Sequence, residues 1–154
     1  ILPKELILKT ANGEPRLMSY ESLAEGGFVS GSMLGSGGFI VFDDRSCVVR
    51  NLWNFTRYYH HESCGQCSPC REGTGWMEKV LHRIEHGHGK LIDIDLLVDV
   101  AKNIEGKTIC PLGDAAAWPV ASAIRHFREE FEAHVKHPDS CSQKHLHEHF
   151  ATAH

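Results

Sequence analysis

Cys64, Cys67 and Cys70 form a C-x2-C-x2-C run, three thiols within seven residues, and Cys110 follows 40 positions later with Pro111 directly behind it. A fold that uses all four must bring a tight loop and one remote segment to the same place. Disulfides within the triplet would close loops too small to restrain the unfolded chain. A chain of 154 residues also buries a core without such staples. The pattern therefore points to a reducing compartment and to cysteines that ligate metal.

A cubane iron–sulfur cluster needs four thiolates reaching four irons of one small cage. Two-residue spacers let three thiolates point inward from one loop, where Gly65 relieves crowding and Pro69 fixes the turn. A Cys-Pro pair elsewhere in the chain is a familiar fourth ligand. Structural zinc also takes four thiolates, but it prefers two separated C-x2-C knuckles, and the split here is three plus one. His60 or His61 with the triplet would make a Cys3His zinc site. A thioredoxin-like redox C-x-x-C would need a βαβ setting that the sequence lacks. The residues favour a cluster over zinc, and zinc over thiol redox chemistry. Cys47 and Cys141 lie far in sequence from the motif and are expected as free thiols, Cys47 packed and Cys141 exposed.

From Ser46 the apolar period becomes helical. Val48, Leu52, Phe55 and Tyr59 share one face of a first helix. A second is expected over about 71–85, with Met77, Val80, Leu81 and Ile84 inward and Gly87 and Gly89 ending it. A third takes Asp93 as N-cap, carries Leu96, Leu97, Val100 and Ile104, and stops at Gly106. A fourth has Pro119 in its first turn, a face of Val120, Ile124, Phe127 and Phe131, and a stop before Pro138. The expected fold class is mainly α, a four-helix bundle over residues 46–137. In up-down-up-down order, the link between the first two helices and that between the last two share one end. Topology thus brings Cys110 towards the triplet.

Residues 1–45 differ. Ile1–Leu8 reads as strand-like, with β-leaning runs at Glu5–Lys9 and Gly38–Phe42 and a turn at Asn12-Gly13. Ser19 is placed to cap a short helix through Tyr20, Leu23 and Ala24, stopped by Gly26-Gly27. So little structure buries little, so the segment reads as the tail end of an α+β domain and the chain as part of a longer one. The glycine-rich run Gly31–Gly38 lacks the Gly-Lys-Ser/Thr ending of a P-loop and reads as a turn. Asp43 and Asp44 are capping candidates, Glu62 and Arg71 flank the triplet, and Lys107 and Asp114 flank Cys110. None of these makes a nucleophile–base–orienter set. Residues 138–154 form a polar tail with His145, His147, His149 and His154, to which no function is assigned. A net charge of −4 argues against a nucleic-acid binder. No apolar run approaches the roughly 18 residues of a spanning helix, so no direct membrane contact is expected.

The run from His61 to Thr74, with Glu62-Ser63-Cys64-Gly65-Gln66-Cys67-Ser68-Pro69-Cys70-Arg71-Glu72-Gly73 between, is similar to the hallmark of the NADH-binding flavoprotein subunit of respiratory complex I. Ile104–Val120, which contains Lys107-Thr108-Ile109-Cys110-Pro111-Leu112-Gly113-Asp114, resembles the second signature of that family. Gly31–Gly38 also resembles a stretch ahead of its cluster motif. The resemblance covers about residues 1–135. It implies a Rossmann-like flavin and NADH domain, then a ubiquitin-like β-grasp (SLBB) domain, then a helical bundle. This chain would hold the end of the β-grasp domain in 1–45 and the whole bundle in 46–137.

The resemblance further implies that Cys64, Cys67, Cys70 and Cys110 ligate a 4Fe–4S cluster. In the family, that cluster accepts electrons from FMN reduced by NADH and relays them towards quinone. The family's Gly-Arg-Gly-Gly-x-Gly-Phe flavin motif is absent, so FMN and NADH belong to the intact protein outside this chain. Taken alone, the chain is expected neither to bind NADH nor to reduce a substrate; it would be a fragment of an NADH dehydrogenase. The implied partners are the other peripheral-arm subunits, a thioredoxin-like 2Fe–2S subunit and a large iron–sulfur subunit. The implied location is the cytoplasmic side of the bacterial inner membrane. Flavin subunits of NAD-reducing hydrogenases and NAD-dependent formate dehydrogenases share both cysteine signatures, and the His60-His61-Glu62-Ser63 lead-in tilts the reading towards complex I. A zinc-stabilised helical interaction module is the alternative from a different class.

Overall fold

A computed structural model describes residues 1–8, 13–15, 19 and 37–137. The chain divides into two units, Ile1–Asp43 and Asp44–His154. In the first unit, Lys4–Leu8 forms the short helix α1, where a strand was expected. Leu6 N–H donates to the Pro3 carbonyl at 3.1 Å. The fixed φ of Pro3 suits the entry to a helical turn, and Glu5 complements the dipole there. Gly38–Phe42 is irregular backbone, not a strand, and its Phe39, Ile40 and Val41 are exposed. Asn12, the helix expected after Ser19, most of Gly31–Gly38, Cys141 and the histidine tail lie outside the described residues.

The second unit is a bundle of four helices: α2 (Val48–Glu62), α3 (Ser68–Glu85), α4 (Leu91–Ile104) and α5 (Leu112–Lys136). Each packs on the next, and α5 returns to both α2 and α3. Leu52, Met77, Leu81, Ile84, Ile94, Leu97, Ile104, Val120 and Phe131 are shut off from solvent in its core. Burying each of these side chains contributes roughly 1.5–3 kcal/mol, which is what holds amphipathic helices together. The described residues are mainly α.

Local details depart from expectation in instructive ways. The inward row of α2 is Val49, Leu52 and Thr56, because the helix is rotated one position from the Val48 stripe. Its N-cap is Cys47, not Asp43 or Asp44; the Cys47 sulfur accepts the Arg50 N–H. Helix α3 starts at Ser68, inside the cysteine run, with Pro69 in its first turn where a missing N–H costs little. It ends as expected at Gly87, with His88 N–H donating to the Arg83 carbonyl and Gly87 N–H to that of Ile84. Asp93 is the third residue of α4 rather than its N-cap; from there its carboxylate accepts the Lys90 N–H at 2.7 Å and pairs with Arg83 on α3. Leu96 is exposed, while Ile94 and Leu97 are buried. Pro119 sits inside α5 rather than in its first turn, so the Ala115 carbonyl loses its helical donor. The helix departs from regular geometry at Phe127 (φ −132°, ψ 26°), which is only half-buried.

Candidate metal centre

Two loops carry the candidate ligands. In the α2–α3 loop, Gly65 has φ +80°, a left-handed conformation that costs a side-chain-bearing residue about 1–2 kcal/mol. Cys67 occupies the N-cap of α3 without using its side chain as a cap, and Cys70 lies in the first turn. The thiols therefore stand at a helix N-terminus, whose unpaired N–H groups and dipole favour negative charge. Arg71 folds back over this loop. Its guanidinium donates to the Gly65 carbonyl at 2.7 Å and to Ser68 Oγ at 3.3 Å, while Nε pairs with Glu72 at 2.8 Å. Ser63 Oγ lies 3.3 Å from Cys70 Sγ.

The α4–α5 loop is tied down at both ends. Gly106 N–H donates to Asp114 at 2.7 Å, and Trp118 Nε1 donates to Glu105 at 2.7 Å. Lys107 turns away from Cys110 to Asn103 at 3.0 Å, and Thr108 Oγ1 donates to the Cys110 carbonyl at 2.9 Å. The two loops meet where Ile109 N–H donates to Cys67 Sγ at 3.5 Å. Behind them α3 and α4 run close together: a Cβ on Gly73 would come within 2.6 Å of Ile104 Cδ1.

Cys64, Cys67, Cys70 and Cys110 are all free thiols, Cys70 buried and Cys64 and Cys110 exposed. Among the described residues, the one group of three metal-type side chains with ligand atoms within 4.8 Å of one another is Cys47, Glu85 and His134. No three of the loop thiols are that close. A single tetrahedral zinc would hold its sulfurs about 3.8 Å apart, given Zn–S bonds of about 2.3 Å. A cubane spreads its thiolates over separate irons, and four soft thiols free of disulfides, on two loops that touch, are the donor type it takes. Neither His60 nor His61 joins a group of three ligand atoms within 4.8 Å of one another among the described residues. His60 Nδ1 pairs with Glu78 at 2.6 Å, its ring lying against Gly75, and His61 Nδ1 pairs with Glu62 at 3.0 Å.

Cys47 is the free, packed thiol that the sequence suggests; its convergence with Glu85 and His134 is not legible there. These residues belong to three different helices and have no motif spacing; their convergence is visible only in the fold. Burial pushes the Glu85 carboxyl above its ordinary range, opposed by the charges of His134 and Arg50.

Over residues 50–134 the sequence matches the family described as the NADH-ubiquinone oxidoreductase-F iron-sulfur binding region. It is 51% identical over 119 residues to the F subunit of NADH-quinone oxidoreductase from Rickettsia massiliae (strain Mtu5), covering 77% of this chain and 27% of that protein. It is 52% identical over 112 residues to the corresponding protein of Mycobacterium bovis (strain ATCC BAA-935 / AF2122/97), covering 73% of this chain and 25% of the relative. The chain thus spans about a quarter of the length of these relatives. A crystal structure of an NAD+-reducing NiFe-hydrogenase in the H2-reduced state superposes with a TM-score of 0.59 at 35% identity, over 64% of this chain and 17% of that one. The chain belongs to the NADH-ubiquinone oxidoreductase-F iron-sulfur binding region family.

Proposed function

We propose that Cys64, Cys67, Cys70 and Cys110 hold one 4Fe–4S cluster and that the chain is the electron-relay part of an NADH:quinone oxidoreductase. The observation that carries this reading is the Ile109 N–H donated to Cys67 Sγ at 3.5 Å, which sets the Cys110 loop against the triplet. Bound there, the cluster supplies one-electron relay from FMN reduced by NADH towards quinone. The chain's own residues do the holding. Four thiolates on two anchored loops give a rigid cage, which keeps reorganisation small. The Ile109 amide and the N-terminus of α3 place positive dipole ends beside the sulfurs. Arg71 bridges the ligand loop through Gly65 and Ser68 and adds a full positive charge.

The intact protein would carry FMN and NADH outside this chain. Residues 1–45 would be the end of its β-grasp domain, with 46–137 the bundle and 138–154 a polar tail. It would assemble with a thioredoxin-like 2Fe–2S subunit and a large iron–sulfur subunit on the cytoplasmic side of the bacterial inner membrane. Among the described residues no helix is long and apolar enough to cross a membrane, consistent with a peripheral position held through partners. The same module in the flavin subunit of an NAD-reducing hydrogenase is the second reading, favoured by the 0.59 TM-score to such an enzyme. Subunits that co-purify with the intact protein separate the two.

The relay is tested in the full-length protein. NADH should bleach the flavin and raise a low-temperature EPR signal from the reduced cluster. Cys110→Ser should keep the bleaching and lose the signal. A signal that persists in Cys110→Ser, or wild-type protein without any iron signal, contradicts the proposal.

A further inference from the structure

At the end of the bundle away from the cysteine loops, about 22 Å along α2, three buried side chains from three helices converge. Cys47 caps α2, Glu85 is the last residue of α3, and His134 lies in the last turn of α5. Cys47 Sγ is 3.3 Å from His134 Nε2, and His134 Nε2 is 3.7 Å from Glu85 Oε2. Sulfur, ring nitrogen and carboxylate oxygen all fall within 4.8 Å of one another.

Each of the three groups is oriented by a further contact. His134 Nδ1 lies 2.9 Å from the Glu130 carbonyl, which can only accept, so Nδ1 holds the proton and donates it. In a neutral ring this leaves the Nε2 lone pair directed at Cys47 and Glu85, the arrangement by which a carbonyl fixes a metal-binding imidazole. Cys47 stands at a helix N-terminus and accepts the Arg50 N–H at 3.4 Å, which orients its sulfur. Arg50 lies 3.5 Å from Glu85 Oε1, which leaves Oε2 as the oxygen towards the histidine. Three electron-rich atoms aimed at one point attract a cation. A tetrahedral zinc, from its bond lengths, would set sulfur and nitrogen about 3.5 Å apart and nitrogen and oxygen about 3.4 Å apart. The observed separations, 3.3 and 3.7 Å, are close to both.

We propose that Cys47, Glu85 and His134 form a second metal site, separate from the four loop cysteines, that takes Zn2+ through one sulfur, one nitrogen and one oxygen. The mixed donor set suits zinc better than magnesium or calcium, which want oxygen, and better than a cluster, which wants thiolates. Zinc there would fasten α2, α3 and α5 together, with the Arg50 guanidinium balancing the ligand charge.

The test uses the full chain with iron and sulfide loaded first, so that the loop thiols are occupied. After exposure to zinc and washing with a weak chelator, about one zinc per chain should remain. Zinc-edge X-ray absorption should show one sulfur at about 2.3 Å, with the other ligands nitrogen or oxygen at about 2.0–2.2 Å. Zinc should raise the melting temperature of the wild type. Cys47→Ser and His134→Gln should each lose the zinc and keep the iron. Absence of retained zinc together with an unchanged melting temperature would overturn the proposal, as would zinc retained equally by both variants. An all-sulfur zinc shell would overturn it too, and would place the metal in the cysteine loops. Should the variants fail to fold, the wild-type absorption spectrum decides alone.

Discussion

Ile109 gives its backbone N–H to the Cys67 sulfur across 42 positions of sequence. That bond joins the loop after α2 to the loop after α4, and so joins the two halves of the cysteine motif. It also leaves the Ile109 side chain 84% exposed, so the residue serves the centre with its backbone while its side chain stays outside the core.

Removal of a single thiol separates ligands from bystanders. Cys110→Ser should lose most of the iron and all of the native EPR signal, since a cubane missing one ligand is labile. Cys47→Ser and Cys141→Ser should retain both. Iron content per folded chain after gel filtration is the measurement, and full loading of Cys110→Ser would remove it from the ligand set.

Arg71 should raise the reduction potential of the centre. Reduction adds negative charge to an already anionic cage, and a guanidinium fastened over the ligand loop stabilises the reduced form more. Arg71→Gln should lower the midpoint in an EPR-monitored redox titration without loss of iron, and Arg71→Lys should fall between. An identical midpoint in a fully loaded Arg71→Gln protein would mean that its pairing with Glu72 cancels its effect.

Two glycines near the site should resist alanine for different reasons. Gly65→Ala places a side chain at φ +80° and should cost about 1–2 kcal/mol. Gly73→Ala drives a methyl into Ile104, an overpacking cost of about 1–3 kcal/mol from which the roughly 0.5–1 kcal/mol that alanine gains over glycine inside α3 must be subtracted. Urea unfolding measures both; stability equal to wild type in Gly65→Ala, or a clear gain in Gly73→Ala, contradicts the local geometry.

The stack of His82 on His86, 3.9 Å between ring centroids with Trp53 edge-on to both, should make stability pH-dependent. Partial burial lowers the His82 pKa from its ordinary 6.5; His86, His88 and Arg57 add to this and Glu78 opposes it. The unfolded chain therefore binds more protons than the folded one between these two values. Stability falls as pH drops through 6.5 and levels off below the folded value. The urea midpoint should decrease between about pH 7.5 and about pH 5.5, and His82→Gln should shrink the decrease. An equal decrease in both proteins would assign it elsewhere.

The bundle was legible because four stretches repeat their apolar residues at the helical period, and Met77, Val80, Leu81 and Ile84 are buried as that period requires. Helix starts were less legible. Pro119 looks like a first-turn proline, yet apolar residues from Leu112 onward carry the helix past it. Asp93 looks like an N-cap, but serves the cap from inside the first turn. Ile1–Leu8 has strand-like composition, and the turn begun at Pro3 overrides it. The four loop cysteines announced themselves by spacing. The grouping of Cys47, Glu85 and His134 did not, because side chains brought together across helices leave no local pattern: Cys47 and His134 are 87 positions apart.

Iron and labile sulfide analysis of the reconstituted chain, with EPR of the dithionite-reduced sample at low temperature, tests the central claim most directly. The reconstituted protein should be brown, with about four irons and four sulfides in the cysteine loops and a signal from one reduced cubane cluster. A colourless protein that fills those loops with a single zinc and shows no iron signal would contradict it.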